Sequence, residues 1–383
     1  MQIDIESETG ATGGARSLME KAARLAAEFA ARAEEHDREG RFVEANYEKL
    51  KQAGLFRAAV PQELGGGGAD LAEVCDIIRL LARGCGSTGL AFAMHSHQVV
   101  IPAWRWRHQP QAKAAVEPLL KRVASSDTIL LTSGGTDWVG GSGRAERVKG
   151  GWLVHAKKTF VSAAPAGTLL ITGVVCDGEV LHFALPMDAP EVRIIQSWNT
   201  LGMRATASQD VEIDGFFLAE DKVVLRRKAG VWHPLFQIIG TLAFPLIYAA
   251  YLGVAESARD IALDFARRRA GPARQPRLAG EMELALRGAR FAHRAMIAEA
   301  ERNAPSADSV AEVMLGRRLV ADHAIRTVEL ALELSGGAGF YRQSGIERCF
   351  RDVQGARYHP MRRESAELYA GALALGDPVA DIY

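Results

Sequence analysis

The chain has 383 residues, a length that exceeds one ordinary hydrophobic core and predicts two or three subdomains. Hydrophobic residues make up 48% and charged residues 24%, which is the composition of a globular protein and excludes global disorder. Lys+Arg and Asp+Glu both number 46, so the chain lacks the basic surplus of nucleic-acid binders, and we expect small-molecule chemistry instead.

The cysteines and the first residues indicate where the protein resides. Cys75, Cys85, Cys176 and Cys349 are scattered, without a CxxC pair or a His/Cys spacing that suits zinc. Residues 1–17 contain no apolar stretch after a basic region, so no signal peptide is predicted. We therefore expect a cytoplasmic protein without a metal site.

The first zone, residues 1–125, has a helical pattern. Leu18, Ala22, Leu25 and Phe29 recur at the three-to-four spacing of an amphipathic helix. The run of four glycines at 65–68 interrupts this zone and predicts a turn where another backbone comes close. The pattern predicts an N-terminal helical bundle.

The second zone, residues 126–228, has strand-like periodicity. Two pairs of apolar runs flank glycine-bearing turns, Lys149-Gly150-Gly151 and Cys176-Asp177-Gly178. Such turns are typical of β-hairpins, and Asp-Gly is the stronger signal. The zone therefore predicts a small, mostly antiparallel, barrel-like β-domain.

The third zone, residues 229–383, returns to the helical period. Its first part, from Pro234 to Ala255, has no charged residue and is long enough to span a bilayer. Glycines and Pro245 interrupt it, so we interpret it as a helix buried inside a bundle, broken or kinked at the proline. No GxGxxG follows a strand and no GxxxxGK[ST] occurs, so neither phosphate-binding loop is predicted.

Seven segments between residues 45 and 360 carry characteristic strings in a fixed order: LFRAAVPQELGGGG (55–68), LTSGG (131–135), KTFVS (158–162), LGMRATASQDV (201–211), FARRRAG (265–271), SGGAGF (335–340) and GIERCFRD (345–352). Together they resemble the acyl-CoA dehydrogenase superfamily of flavoproteins. The resemblance implies an α+β fold in which a middle antiparallel β-domain lies between an N-terminal helical bundle and a C-terminal four-helix bundle.

The resemblance also implies residues that hold the flavin ring. Thr132 and Ser133 would offer hydrogen bonds to its pyrimidine edge, and Phe160 replaces the tryptophan that packs on the ring. Ser162 stands where the family has a hydroxyl that touches the flavin N5. Fixed donors at these edges would tune the reduction potential. The alternative is that hydroxyls at strand ends only cap the sheet.

The resemblance also implies residues that bind the far end of the cofactor, and a partner subunit. By resemblance, Arg267 or Arg269 and a neighbouring subunit's Gly336-Gly337 loop would bind the adenine and pyrophosphate, which implies a homo-oligomer, in this family a tetramer. Glu333 stands where the family usually has glutamine, and its charge would repel a pyrophosphate unless an arginine pairs with it. The resemblance implies FAD, which would then bind more weakly, with FMN as the alternative, and the glycine pair could also be a simple helix C-cap.

The catalytic base of the dehydrogenases is missing from both positions where the family places it. Eight residues after Asp352 stands Pro360, and ten residues before Gly253 stands Ala243. Glu364, one helical turn beyond the first position, is a candidate for a relocated base.

His359 precedes the first of these positions and resembles the monooxygenase branch of the fold. Enzymes of that branch take reduced flavin from a separate reductase and use such a histidine near the flavin, together with a serine that Ser162 matches. His97 or His95 would add a second histidine, and only one of them is expected to face the site.

These observations favour a flavin-dependent oxidoreductase that acts as a reduced-flavin monooxygenase or oxidase on a small molecule. Two alternatives remain open at this point. The first is an acyl-CoA dehydrogenase with a relocated base, and the second is a non-catalytic relative that keeps the fold for assembly.

Overall fold

The computed structural model describes residues 13–126, 128–134, 137, 139–268, 274–359 and 361–379. The α-helices are α1 (Gly13–Ala30), α2 (Ala33–Glu39), α3 (Glu44–Gln52), α4 (Leu71–Gly84), α5 (Gly86–His108), α6 (Lys113–Ser125), α7 (Leu235–Arg267), α8 (Arg274–Glu301), α9 (Ala307–Ser335), α10 (Ile346–Val353) and α11 (Arg363–Leu375). The β-strands are β1 (Leu130–Thr132), β2 (Arg144–Val148), β3 (Gly151–Val161), β4 (Leu169–Cys176), β5 (Glu179–Pro186), β6 (Val192–Ile195), β7 (Gln209–Ala219) and β8 (Leu225–Lys228). The predicted succession of helices, sheet and helices is confirmed.

The glycine run ends where α4 begins, and both features follow from local chemistry. A Cβ on Gly66 would lie 2.1 Å from the carbonyl oxygen of Val60, so this close return of the chain requires glycine. Asp70 then caps α4, because its carboxylate accepts the Glu73 amide at 2.8 Å while the Glu73 side chain accepts the Asp70 amide at 2.9 Å.

The middle region forms one sheet in the order β6-β7-β3-β2-β4-β5-β8, with β1 paired in parallel to β4. Both predicted hairpins are confirmed, since β2 pairs antiparallel with β3 and β4 with β5. In the second turn Asp177 and Gly178 have φ values of 49° and 79°, the left-handed pair that the tight turn requires. This strand order places the ends of β1 and β3 beside the helical regions.

Helix α7 contains the uncharged run and passes through the centre of the C-terminal bundle. The expected break at Pro245 is wrong, because α7 is continuous from Leu235 to Arg267. A proline inside a helix costs about 3 kcal/mol, and burial of nearly every side chain from Gly240 to Glu256 offsets that cost. Of the most apolar stretch, 89% is buried within the protein, as expected for a bundle helix.

A buried carboxylate fixes α7 against its neighbours. Glu256 is only 2% exposed and lies 3.0 Å from Arg79 of α4 and 2.9 Å from Arg290 of α8. A buried charge is tolerated only when it is paired in this way. The ion pairs therefore set the position of α7 relative to both helical regions.

Candidate functional site

The end of β3 presents Phe160 and Ser162 at a break in the strand pairing. The register between β3 and β7 shifts between Lys158 and Val161, and within this bulge Phe160 has a φ of 57°. Left-handed backbone is unfavourable for a bulky residue and marks a candidate functional position. Phe160 is 57% exposed and its ring meets Trp198 edge-on at 6.2 Å, so more than half of the residue's surface is accessible.

Ser162 begins a line of hydroxyl groups, which we call the hydroxyl chain. Ser162 Oγ lies 2.8 Å from Ser208 Oγ, which lies 2.8 Å from Thr206 Oγ1. Thr206 Oγ1 in turn donates to the carbonyl oxygen of Met203 at 2.9 Å. All three hydroxyl residues are buried, so their polar groups depend on one another for hydrogen bonds.

His359 lies between α10 and α11, partly buried against α7. Its Nε2 is 2.6 Å from the hydroxyl oxygen of Tyr251. Burial lowers the pKa of His359 most, the positive charge of Arg317 and the electrostatic interaction with His97 lower it too, and together they bring it to about 3. His359 is therefore neutral at physiological pH.

The backbone around His359 is held by two buried side chains. Tyr248 donates to the carbonyl oxygen of Ala356 at 2.7 Å. Arg317 donates to the carbonyl oxygen of His359 at 3.2 Å and also to that of Met361. Within the described part of the chain, the Nε of Arg317 has no hydrogen-bond partner, and its guanidinium lies over the Tyr248 ring, 5.1 Å from the ring centroid. The arginine thus brings a buried positive charge, without a carboxylate among its hydrogen-bond partners in the described residues, to the backbone of His359.

The two histidines of α5 are both buried because this helix is enclosed along most of its length. His95 is held entirely by backbone: its Nε2 donates to the Phe56 carbonyl at 2.8 Å, and its Nδ1 accepts the Leu130 amide at 2.9 Å. His97 donates from Nδ1 to Ala93 at 3.2 Å and contacts the Gln98 side chain through Nε2 at 3.0 Å. Burial lowers the pKa of both histidines to about 4. His95 therefore joins structural elements, whereas His97 bonds only within α5.

Asp352 connects the hydroxyl chain with the surroundings of His359. Its carboxylate accepts the backbone amide of Met203 at 2.5 Å. Burial raises the pKa of Tyr251 well above its usual value, and the charges of Tyr248 and Asp352 add to this rise. Burial raises the pKa of Asp352 itself to about 6. The preceding Arg351 pairs with Asp37 at 2.6 Å, so α10 also anchors the first helical region.

The loop after β1 is organised by a buried lysine. Lys158 Nζ lies 3.0 Å from the Asp137 carboxylate and donates to the carbonyl oxygen of Gly173 at 2.6 Å. The same carboxylate accepts the hydroxyl of Ser133. The Ser133 hydroxyl proton is thus committed within the loop, and Thr132 lies beside it at the end of β1, with its hydroxyl 3.3 Å from the Ser133 carbonyl.

The residues expected at the far end of the cofactor lie apart from these groups. Arg267 is exposed at the end of α7 and pairs with Asp264 at 3.3 Å, while Arg269 lies outside the described residues. Gly336 caps α9 with a φ of 60°, and its amide donates to the carbonyl of Glu333. Gly337 has open space around its Cα. A helix C-cap is therefore one role that the glycine pair has in this structure.

The structure describes two of the residues considered for a dehydrogenase base, and neither is a buried acid. Ala243 is buried inside α7 with 3% exposure. Glu364 is an exposed side chain in the first turn of α11, one turn past Pro360, which lies outside the described residues. A carboxylate that faces solvent is poorly placed to take a proton in an enclosed site. The expectation of a relocated base at Glu364 finds no support in this geometry.

These groups fit a flat aromatic cofactor such as a flavin. Phe160, with its left-handed backbone, is more than half exposed, and the hydroxyl chain ends two residues later at Ser162. The protein thus offers both an apolar face and a polar edge, which is what the ring and its nitrogen atoms require.

Comparison with known proteins identifies the family. A model of the acyl-CoA dehydrogenase N-terminal domain matches residues 13–122, and a model of the C-terminal domain matches residues 246–364. The chain is 30% identical to a putative acyl-CoA dehydrogenase, YdbM of Bacillus subtilis strain 168, over 90% of this chain and 93% of the relative. It belongs to the acyl-CoA dehydrogenase superfamily and is a flavin-dependent oxidoreductase.

Two further relatives are similar over nearly the whole chain. The amino sugar nitrososynthase DnmZ of Streptomyces peucetius is 28% identical over 95% of this chain and 94% of its own. The solved structure of KijD3 in complex with FMN and dTDP-3-amino-2,3,6-trideoxy-4-keto-3-methyl-D-glucose is 28% identical, with a TM-score of 0.86 over 97% of this chain and 96% of that one.

Several residues of the site were missed by the sequence analysis. Tyr251 and Arg317 lie within long helices, where an aromatic or a basic side chain has no distinguishing pattern. Thr206 and Ser208 lie in the segment LGMRATASQDV, which was recognised without a role for its hydroxyl groups. The alternation of small residues with hydroxyl residues after Arg204 was the one available signal.

Proposed function

We propose that this protein is a monooxygenase or oxidase that uses reduced flavin to oxidise a small molecule. One observation carries the proposal: a neutral histidine, His359, bonded to Tyr251, stands beside one of the two positions of the dehydrogenase base. Ala243 occupies the other position, and the nearest relocated acid, Glu364, faces solvent. Oxygen insertion needs no base to remove a proton from the α-carbon of an acyl chain, so it tolerates this arrangement.

We assign the flavin ring to the exposed Phe160, with Ser162 at N5 and Thr132 and Ser133 at the pyrimidine edge. The exposure of Phe160 and the end of the hydroxyl chain at Ser162 support this placement. Reduced flavin supplies the two electrons with which O2 is split, one oxygen atom going to the substrate and the other to water. FMN is favoured over FAD because the solved structure of KijD3, 28% identical to this chain, is a complex with FMN. Arg267, Arg269, Gly336 and Gly337 are retained as candidates should FAD bind.

His359 acts as a fixed hydrogen-bond donor in this proposal. A phenol O–H is more acidic than the N–H of a neutral imidazole, so Tyr251 donates to Nε2 and the imidazole proton remains on Nδ1. The partly exposed ring can then present Nδ1–H to an oxygen atom of the reacting group. His97, itself neutral, stands nearby as the second histidine.

The charges around His359 favour an amine as the substrate group. Arg317 brings a positive charge without a carboxylate among its hydrogen-bond partners in the described residues, and burial keeps His97 and His359 neutral. This environment disfavours an ammonium ion and favours the neutral amine, whose lone pair can accept an oxygen atom. The similarity to amino sugar nitrososynthases agrees with a nitrogen centre.

We further propose a homotetramer that receives reduced flavin from a separate reductase in the cytoplasm, built from domains at 1–125, 126–228 and 229–383. The C-terminal bundle leaves Leu284, Phe291 and Leu319 at least half exposed, as expected of a face that another subunit covers. The four cysteines are free and buried, which agrees with a reducing compartment.

Two experiments on the FMN-loaded protein test this function, the first without oxygen and the second with oxygen admitted. We expect a panel of acyl-CoA thioesters to leave the oxidised flavin absorbance unchanged, and amines to be oxygenated when chemically reduced enzyme meets air, with one atom of 18O2 recovered in the product. Bleaching of the flavin by an acyl-CoA would establish a dehydrogenase instead. A purified protein that does not bind flavin would indicate the non-catalytic alternative.

A further inference from the structure

The hydroxyl chain has a direction that is set at one end. The carbonyl oxygen of Met203 can only accept, so Thr206, 2.9 Å away, donates its single hydroxyl proton there. Ser208 must then donate to Thr206, and Ser162 must donate to Ser208, each across 2.8 Å. The proton of Ser162 is thereby committed inside the protein, and only its lone pairs remain for a neighbour on the other side.

The Met203 peptide is held firmly in this orientation. Its carbonyl also accepts Trp198 Nε1 and the Thr206 amide, each at 3.1 Å, while its own amide is held by Asp352 at 2.5 Å. Met203 and Ala207 have left-handed φ values of 52° and 44°, which is strained backbone for residues other than glycine. Such strain persists only where the surroundings fix the loop, so the acceptor at the end of the chain does not turn away.

We propose that Thr206 and Ser208 are positioning residues that make Ser162 an acceptor toward the flavin N5, and that the site consequently prefers reduced flavin. Reduced N5 carries an N–H that an acceptor stabilises, whereas oxidised N5 has a lone pair that faces the lone pairs of Ser162. This inference rests on the proposed placement of Ser162 at N5.

The test measures the dissociation constants of oxidised and of anaerobically reduced FMN for the full-length apoprotein. In Thr206→Val, Ser208 loses its acceptor and can turn to donate to Ser162, which frees the Ser162 proton for the flavin. One reversed hydrogen bond of about 1 kcal/mol corresponds to about a fivefold change. We expect the preference for reduced FMN to fall by about fivefold, and Thr327→Val, which removes an equally buried hydroxyl in α9, to leave it unchanged.

Three further variants separate the possible failures: Ser208→Ala, Ser162→Ala and the combination of Thr206→Val with Ser162→Ala. Ser208→Ala should shift the preference in the same direction, and Thr206→Val should have no effect in a Ser162→Ala background. If Ser162→Ala alone leaves both dissociation constants unchanged, the placement of Ser162 at N5 is wrong and the inference falls with it. If Ser162→Ala changes the preference while Thr206→Val and Ser208→Ala do not, the placement stands and the directional role of the chain is overturned.

Discussion

The hydroxyl oxygen of Tyr251 lies 2.6 Å from Nε2 of His359, although the two residues are 108 positions apart in the chain. Tyr251 is fully enclosed in α7, and His359 is partly exposed between α10 and α11. The hydrogen bond thus fixes the His359 ring, at the edge of the site, against the rigid core of the bundle. A fixed ring is worth more in catalysis than a mobile one, because the reacting atoms must be held in place.

The first prediction concerns this pair. Tyr251→Phe should lower kcat by about ten- to hundredfold, since the imidazole loses the bond that orients it while the packing is kept. Tyr248→Phe is the matched control: it removes a buried hydroxyl that holds the Ala356 carbonyl but does not touch the imidazole ring. Steady-state kinetics on both variants checks this, and equal losses would show that Tyr251 acts only through stability.

The second prediction concerns His359 itself. His359→Ala should lower turnover by about 10²-fold or more while the flavin content per subunit is unchanged, because the ring acts on the reacting group and does not hold the cofactor. Absorbance of the purified variant gives the flavin content. His155→Ala, which removes a histidine paired with Asp214 on the sheet, serves as control. Undiminished turnover in His359→Ala would remove this residue from the mechanism.

A third prediction separates the two histidines of α5. His95→Ala removes bonds to two backbone groups, Phe56 O and Leu130 N, and should reduce the free energy of unfolding by about 2–4 kcal/mol. His97→Ala should reduce stability less and turnover more. Urea unfolding and steady-state kinetics on both variants test this assignment. A larger loss of stability in His97→Ala than in His95→Ala, with a larger loss of turnover in His95→Ala, would contradict it.

The fourth prediction is the pH dependence of stability. The pKa of His359 falls from 6.5 to about 3 on folding, so its contribution is fully present above pH 6.5 and is lost as the pH falls toward 3. Each such group gives a slope of about 1.4 kcal/mol per pH unit in that window. Urea unfolding between pH 7 and pH 4 should therefore show a shallower slope in His359→Gln than in the unmodified protein. Identical slopes would mean that the folded pKa is not lowered.

The fifth prediction concerns Lys158, whose side chain is fully buried beside Asp137. Lys158→Met should destabilise the protein by about 3–5 kcal/mol, because the Asp137 carboxylate is left without its cation. Asp137→Asn should cost less, since its amide can still bond Ser133. Thermal unfolding of the two variants tests which one loses more stability. If Lys158→Met is as stable as the unmodified protein, the Lys158–Asp137 pair makes no net contribution to stability.

The parts of the fold that the sequence predicted are those with local causes. The Asp177-Gly178 turn needs left-handed backbone at two adjacent residues, and the neighbouring sequence alone indicates it. Pro245 is the opposite case, since its local preference was outweighed by the packing of helices that lie far away in the chain. Local preferences are overridden where the free energy gained by tertiary burial exceeds the few kcal/mol that those preferences contribute.

The candidate site likewise contains residues that the sequence predicted and residues that it did not predict. Phe160 and Ser162 could be proposed because they lie in a recognisable string at a strand end. The hydroxyl chain could not, because Ser162 meets Ser208 across 46 residues and no spacing in the sequence encodes that contact. The same holds for the direction of the proton in each bond, which depends on the carbonyl of Met203.

The bond between Asp352 and the Met203 amide spans 149 residues, and the Arg351–Asp37 pair spans 314. Protein synthesis proceeds from the N-terminus, so the loop that carries Thr206 and Ser208 leaves the ribosome long before the carboxylate that anchors it. Contacts of such long range form late in folding. A chain interrupted before α10 would therefore emerge with the loop that carries Thr206 and Ser208 unanchored.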